Sequence, residues 1–154
     1  MVSGRGIIDP PFVGRFKLEV AGTDIGRFTE VAGLSVQLDV EEFAEGGQNA
    51  YTHRLLGRMK WPNLVFKRGL TETDALFDWL LTCSGEGFTR AGNKLIPRDA
   101  KVSVLNAKGV ELRVWTITGA HPVKWTGPKL AASSRELAVE ELEVMHRGFR
   151  SHRD

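Results

Sequence analysis

A single cysteine, Cys83, stands in 154 residues. No disulfide can therefore form within the chain, and synthesis in a reducing compartment is compatible with the sequence. No apolar run approaches the length of about 20 residues that a membrane-spanning helix needs. The first residues, MVSGRGIIDPPF, hold no continuous apolar core and are not read as a signal peptide. An excess of one charge is lacking too. The chain has 21 Lys and Arg against 19 Asp and Glu, a net +2, too little to argue alone for nucleic acid or membrane binding. Internal repeats and low-complexity segments are also absent. What remains is 42% hydrophobic and 26% charged, the composition of a soluble globular protein. The length fits one domain, 1–154, that buries about two thirds of its unfolded surface.

Catalytic and ligand-binding signatures are equally scarce. WPNLVFKRGLTETDALFDWL, Trp61–Leu80, has the outline of a phosphate loop: strand, basic glycine turn, helix. Such a loop needs two glycines around the turn and a Lys-Ser/Thr pair at the helix start. Here Lys67-Arg68-Gly69-Leu70-Thr71 has no upstream glycine, and Glu72 and Asp74 place negative charge where a phosphate would sit. Lys67 and Arg68 are better read as a charged strand end. His53, His121, His146 and His152 show no metal-ligand spacing, and one cysteine cannot complete a zinc site. Cys83, at the end of an amphipathic helix, reads as a buried inert thiol. Ser133-Ser134 lacks a nucleophile elbow. Glu41-Glu42 and Glu140-Glu141 are adjacent in strands, so each pair points to opposite faces and cannot share a site. The expectation is a protein with no enzymatic activity, cofactor or metal.

Period-two alternation dominates what is present. In FVGRFKLEV, Phe12, Phe16, Leu18 and Val20 share one face. AGTDIGRF supplies turn residues. In LSVQLDVEEF, Leu34, Val36, Leu38 and Val40 alternate with Ser35, Gln37, Asp39 and Glu41, giving an apolar face for the core and a polar face for water. AEGGQNA is a loop, YTHRLLGRMKW a return strand, and NLVFKRG a short strand entered through Pro62. One segment changes period: Ala75, Leu76, Trp79 and Leu80 recur at helical spacing over about 72–83. Thr71 or Thr73 suits its N-cap and Gly85 its C-cap. RDAKVSVLN and VELRVWTIT flank AKG, a hairpin turn with Gly109 free to take positive φ. AHPVKWTGPKLAASS is a short extended piece followed by a loop. RELAVEELEVMHRGF favours strand, with helix as the alternative. Residues 1–10 are expected as a flexible arm and 150–154 as a loose tail. Many strands with one helix predict a small antiparallel β-barrel or sandwich carrying a flanking helix.

Charge is segregated along the chain. No acidic residue falls between Gly46 and Thr71, where Arg54, Arg58, Lys60, Lys67 and Arg68 lie. Acidic blocks occur at Glu30–Glu45 and Glu136–Glu143. A module with separate basic and acidic regions can bind copies of itself as readily as a polyanion. Trp61, Trp115 and Trp125 among basic residues could form a stacking platform for single-stranded nucleic acid. Against that, these are strand positions where aromatics commonly fill a core. A monomeric barrel binding single-stranded nucleic acid or a small ligand is thus the competing class to an assembly protein.

GRFTEVAGLSVQLDVEEFAEGGQN, GRMKWPNLVFKRGLT, FDWL and AHPVKWTGPKLAASSRELAVEELEV occur in an order and spacing that resembles the tail tube protein family. These are the inner tubes of contractile phage tails and of bacterial contractile injection systems. The resemblance runs from about Pro11 to Phe149. It implies a ring-forming β-barrel with a flanking helix, stacked as hexameric rings into a hollow tube inside a contractile sheath. Implied partners are further copies of the chain, the sheath, baseplate and tube-terminating cap proteins, with protein toxin, DNA or nothing as cargo, and no stable membrane insertion. Synthesis in the bacterial cytoplasm and a place in a phage tail-like particle follow. By this analogy Leu34–Phe43 and Tyr51–Arg58 form a hairpin whose Ser35, Gln37, Asp39 and Glu41 face the lumen, and Arg98–Asn106 with Val110–Ile117 a second. Subunit contacts are expected from Glu41, Glu42, Glu45, Gly46, Gly47, Asn49, Arg54, Arg58, Lys67 and Arg68, with the basic region meeting Glu41–Glu45 or Glu136–Glu143 of a neighbour.

Overall fold

The computed structural model describes residues 14–44, 52–70, 75–83, 97–133 and 138–152. The expected N-terminal arm, Glu45–Ala50, Thr71–Asp74, Gly85 and Glu136 lie outside them. The described residues form β1 (Arg15–Val20), β2 (Thr23–Phe28), β3 (Glu30–Ala32), β4 (Gln37–Ala44), β5 (Thr52–Lys60) and β6 (Leu64–Gly69). Helix α1 (Ala75–Cys83) follows, then β7 (Arg98–Leu105), β8 (Glu111–Thr126), β9 (Val139–Met145) and β10 (Phe149–His152). Among the described residues the fold is mainly β with one helix, as the alternation predicts, and its strand pairs are antiparallel.

One sheet runs β2-β1-β7-β8-β9-β6-β3, with β10 added beside β8. β8 is its spine. It pairs with β7 as far as Ala120 and with β9 from His121 onward. Gly119 takes φ +63° at this handover, the kind of backbone freedom a bending strand uses. The two half-sheets meet across the core, Leu18, Val102 and Ile117 from one and Leu64, Phe66 and Leu142 from the other, all 0–1% exposed. Phe28 and Phe66 rings lie 5.2 Å apart across this junction. α1 covers one flank with Leu76 and Trp79 buried and Leu80 half-buried, matching the helical spacing.

Among the described residues the sheet does not close into a barrel. β2 approaches β6, but β2 pairs with β1 and β6 with β3 and β9, so the architecture is a sandwich. Arg68 fills the seam. Its guanidinium lies 5.3 Å over the Phe28 ring, and its Nε donates to Glu140 Oε1, the register partner across β6 and β9. Gly26, at φ +145°, leaves room for this, since a Cβ there would collide with the guanidinium. Arg68 and Glu140 are both buried.

Several expectations are corrected. TDIGRF is strand β2, and the turn before it is Ala21-Gly22, both at positive φ (50° and 81°), as a two-residue hairpin requires. AHPVKWT is no separate piece but continues β8. Arg150–His152, expected in a loose tail, is strand paired to β8. β4 begins at Gln37, later than Leu34, and β5 extends to Lys60. The AKG turn is as expected: Gly109 has φ +81°, and Asn106 Oδ1 accepts from the Lys108 and Val110 amides at 2.9 and 3.0 Å. β9 is strand, which settles the helix alternative.

Candidate assembly surface: the β4–β5 ribbon

β4 and β5 pair with each other in a two-stranded sheet of their own. Directly opposed residues of an antiparallel pair share a face. Leu38/Met59, Val40/Leu56 and Glu42/Arg54 therefore lie on one face, and Gln37/Lys60 and Glu41/Leu55 on the other. The register slips between Leu38 and Val40, where Asp39 meets Gly57, and a Cβ on Gly57 would stand 3.0 Å from that of Asp39. Two cross-strand ion pairs brace the ribbon: Arg54 Nε to Glu42 Oε1 and Lys60 Nζ to Asp39 Oδ1, each 3.0 Å.

The apolar face of this ribbon does not enter the subunit core. Leu34 is half-buried, but Val36, Leu38 and Val40 are exposed, and Leu56 reaches 75%. This overturns the expected inward face. Alternation reports that one face is apolar, not what covers it. A lone two-stranded ribbon is marginally stable in water, and a two-edged apolar strand pair is a template for pairing with another chain. Such a surface is built to be covered.

At its base the ribbon is fixed on both stalks. Gly33, at φ +92°, passes so close to the Asn63 carbonyl that no side chain fits. Trp61, just after β5, packs edge-on against Phe149 with centroids 4.9 Å apart. Asn63 Nδ2 donates to Glu143 Oε1 at 3.0 Å.

The expected site residues divide. Glu41, Glu42, Arg54 and Arg58 are exposed on the ribbon. Gln37, half-buried Asp39 and Glu41 share its polar face, with exposed Ser35 just before β4. Lys67 is half-buried, flanked in register by Glu30 and Glu141. Arg68 is corrected: buried with Glu140, it is engaged inside its own subunit. Glu45, Gly46, Gly47 and Asn49 lie outside the described residues. Leu55, Leu56 and Met59 escaped the sequence reading, although adjacent leucines beside Gly57 signal a strand with apolar groups on both faces. The second hairpin expected to line a lumen, β7–β8, has β1 along its outer flank and β10 along Val114–Ile117. It presents no open edge there.

Other chemistry finds little support. Among the described residues no three His, Cys, Asp or Glu gather as metal ligands, and no helix is long and apolar enough to cross a membrane. Cys83 is half-buried rather than buried. Burial pushes its thiol above the ordinary value, partly offset by Arg98 and Trp79, so it is a poor nucleophile. The tryptophans form no platform: Trp79 is buried, Trp61 packs on Phe149, Trp125 on Phe77 at 5.2 Å, and Trp115 lies under Arg113 at 5.3 Å.

A sandwich that holds one amphipathic ribbon outside its own core is a subunit of an assembly. The chain belongs to the T4-like virus tail tube protein gp19 family, whose model matches residues 14–150, and its role is that of a structural tube protein. No curated protein matches it significantly. Among solved structures it resembles a chain of an extracellular contractile injection system, the PVC sheath–tube complex in the extended state. Identity there is 26% and TM-score 0.76, over 95% of this chain and 93% of that one. A chain of the PVC sheath/tube terminator matches with 26% identity and TM-score 0.76 over 96% and 99%. The anti-feeding prophage tube terminating cap shares the fold at 23% identity and TM-score 0.74, over 93% and 91%.

Proposed function

We propose that the chain is the inner tube subunit of a contractile injection system. Six copies close into a ring, and rings stack head to tail into a hollow tube inside a contractile sheath. Contraction drives the tube through a target envelope. The observation that carries this is the β4–β5 ribbon, whose apolar face and open edges need a neighbouring copy within a tail tube fold. A head-to-tail contact between unlike patches is the geometry that builds rings and open filaments. The role is mechanical and non-enzymatic. The subunit is made in the bacterial cytoplasm and works in a phage tail-like particle, with sheath, baseplate and terminating cap as partners and the lumen open to protein or DNA cargo.

Within this reading the ribbon's charges select the neighbour. Arg54 keeps Glu42 inside the ribbon, while Arg58 and Glu41 are offered outward. Reversing Arg54 and Arg58 together blocks tube formation without unfolding the subunit. Electron microscopy of the purified full chain tests the assignment: six-membered rings or hollow tubes are expected. A protein that stays monomeric in sedimentation and binds oligonucleotide would overturn it.

A further inference from the structure

The second stalk of the ribbon, Trp61-Pro62-Asn63, is held against the turn between β9 and β10. Trp61 sits edge-on to His146, centroids 6.0 Å apart, and over Gly148, where a Cβ would come within 3.1 Å of the indole. His146 bridges the two segments. Its Nε2 lies 2.9 Å from the Pro62 carbonyl oxygen, and its Nδ1 lies 3.1 Å from the Gly148 nitrogen. A backbone N–H donates and a carbonyl accepts, so Nδ1 must accept and Nε2 must donate. Both bonds together define a neutral imidazole with its proton on Nε2. A doubly protonated ring turns an N–H toward the Gly148 N–H, and that bond is lost. The turn is not free to adapt, because Arg147 N donates to Thr118 O at 2.9 Å and Thr118 N to Gly148 O at 2.8 Å.

We propose that His146 is an acid-sensitive latch for the ribbon. Neutral, it pins the second stalk to the β9–β10 turn. Protonated, its Nδ1–H faces the Gly148 N–H, and the ring must swing out of the seat from which Nε2 reaches Pro62. This loosens the stalk, so acid lowers the fraction of subunits with a ribbon set for assembly. This rests on the reading that the ribbon joins subunits. The charged groups bordering this junction along the chain are Lys60, paired with Asp39, Glu143, which accepts from Asn63, and Arg147, which lies over Gly119 of β8. Arg150 follows on β10, and His121 stands on β8 opposite Met145. His146 is half-buried, so protons reach it in the folded subunit.

The test uses the full chain, dilute and unassembled. At about pH 8, nitrogen shifts of His146 should report the neutral ring protonated on Nε2. Acidification to about pH 5 should then speed amide exchange in β4 and β5 about tenfold beyond the chemical effect of pH, relative to Val102 and Ile117. His146→Gln should remove this extra pH dependence. An Nδ1-protonated ring at high pH, ribbon exchange that tracks the core at every pH, or an unchanged profile in the variant would overturn the latch. The tautomer result needs no variant. Tube formation is scored separately by electron microscopy near neutral pH. A ribbon that loosens with His146 protonation in a protein that never assembles keeps the latch and sinks the tube assignment.

Discussion

Two hairpins of this molecule are alike in sequence pattern and opposite in fate. β7–β8 and β4–β5 both alternate apolar and polar residues, and both are antiparallel. β7 buries Val102, Val104 and Leu105 and is flanked by strands of its own subunit. β4–β5 leaves Leu38, Val40, Leu56 and Met59 in water and carries ion pairs at its margins. The difference shows that amphipathic patterning specifies an apolar face, while topology decides whether that face is covered within its own subunit.

The sharpest way to break this comparison is to spoil the uncovered face alone. Leu38→Asp with Leu56→Asp should abolish tubes in electron micrographs while the circular dichroism spectrum of the monomer is retained. Loss of the fold itself would mean that the ribbon is part of the core. Next in size is the seam beneath Arg68. Glu140→Ala strands a buried guanidinium and should cost about 3–5 kcal/mol in urea unfolding, against at most about 1 kcal/mol for Glu42→Ala, whose partner Arg54 is exposed.

A matched pair of truncations follows. Leu105→Ala in β7 should cost about 2–5 kcal/mol, and Leu56→Ala in β5 about 0.5 kcal/mol or less in the monomer. Equal costs would erase the distinction between the hairpins. The smallest effect is alkaline. The hydrogen bond from Lys17 to the Glu19 carboxylate, joined by charge attraction, raises the lysine above its ordinary value. Its contribution is then complete below the ordinary lysine range and is lost as pH climbs through the raised value. Between about pH 10 and 12 the wild-type urea midpoint should fall more steeply than that of Glu19→Gln.

Much of the body was legible because its signals are local. Helical spacing marked Leu76 and Trp79, and Gly109 marked the turn between β7 and β8. β2 was hidden because Thr23, Asp24 and Gly26 look like turn residues, yet the turn needs just Ala21 and Gly22. β10 was hidden in a polar tail because its strand is specified by β8, not by its own residues. Arg68 read as a surface charge because its partner lies 72 residues away. In the candidate site the polar ribbon charges were legible. The exposed leucines were not, since alternation marks an apolar face without saying what covers it.

The uncovered ribbon also bears on how growth begins. Fixing backbone in one conformation costs about 1–2 kcal/mol per residue, and the first few copies would order their ribbons with little surface gained in return. Each later copy would meet edges already set in place. If the ribbon joins copies as proposed, assembly has a lag and then a fast repeat, and a preformed seed removes the lag.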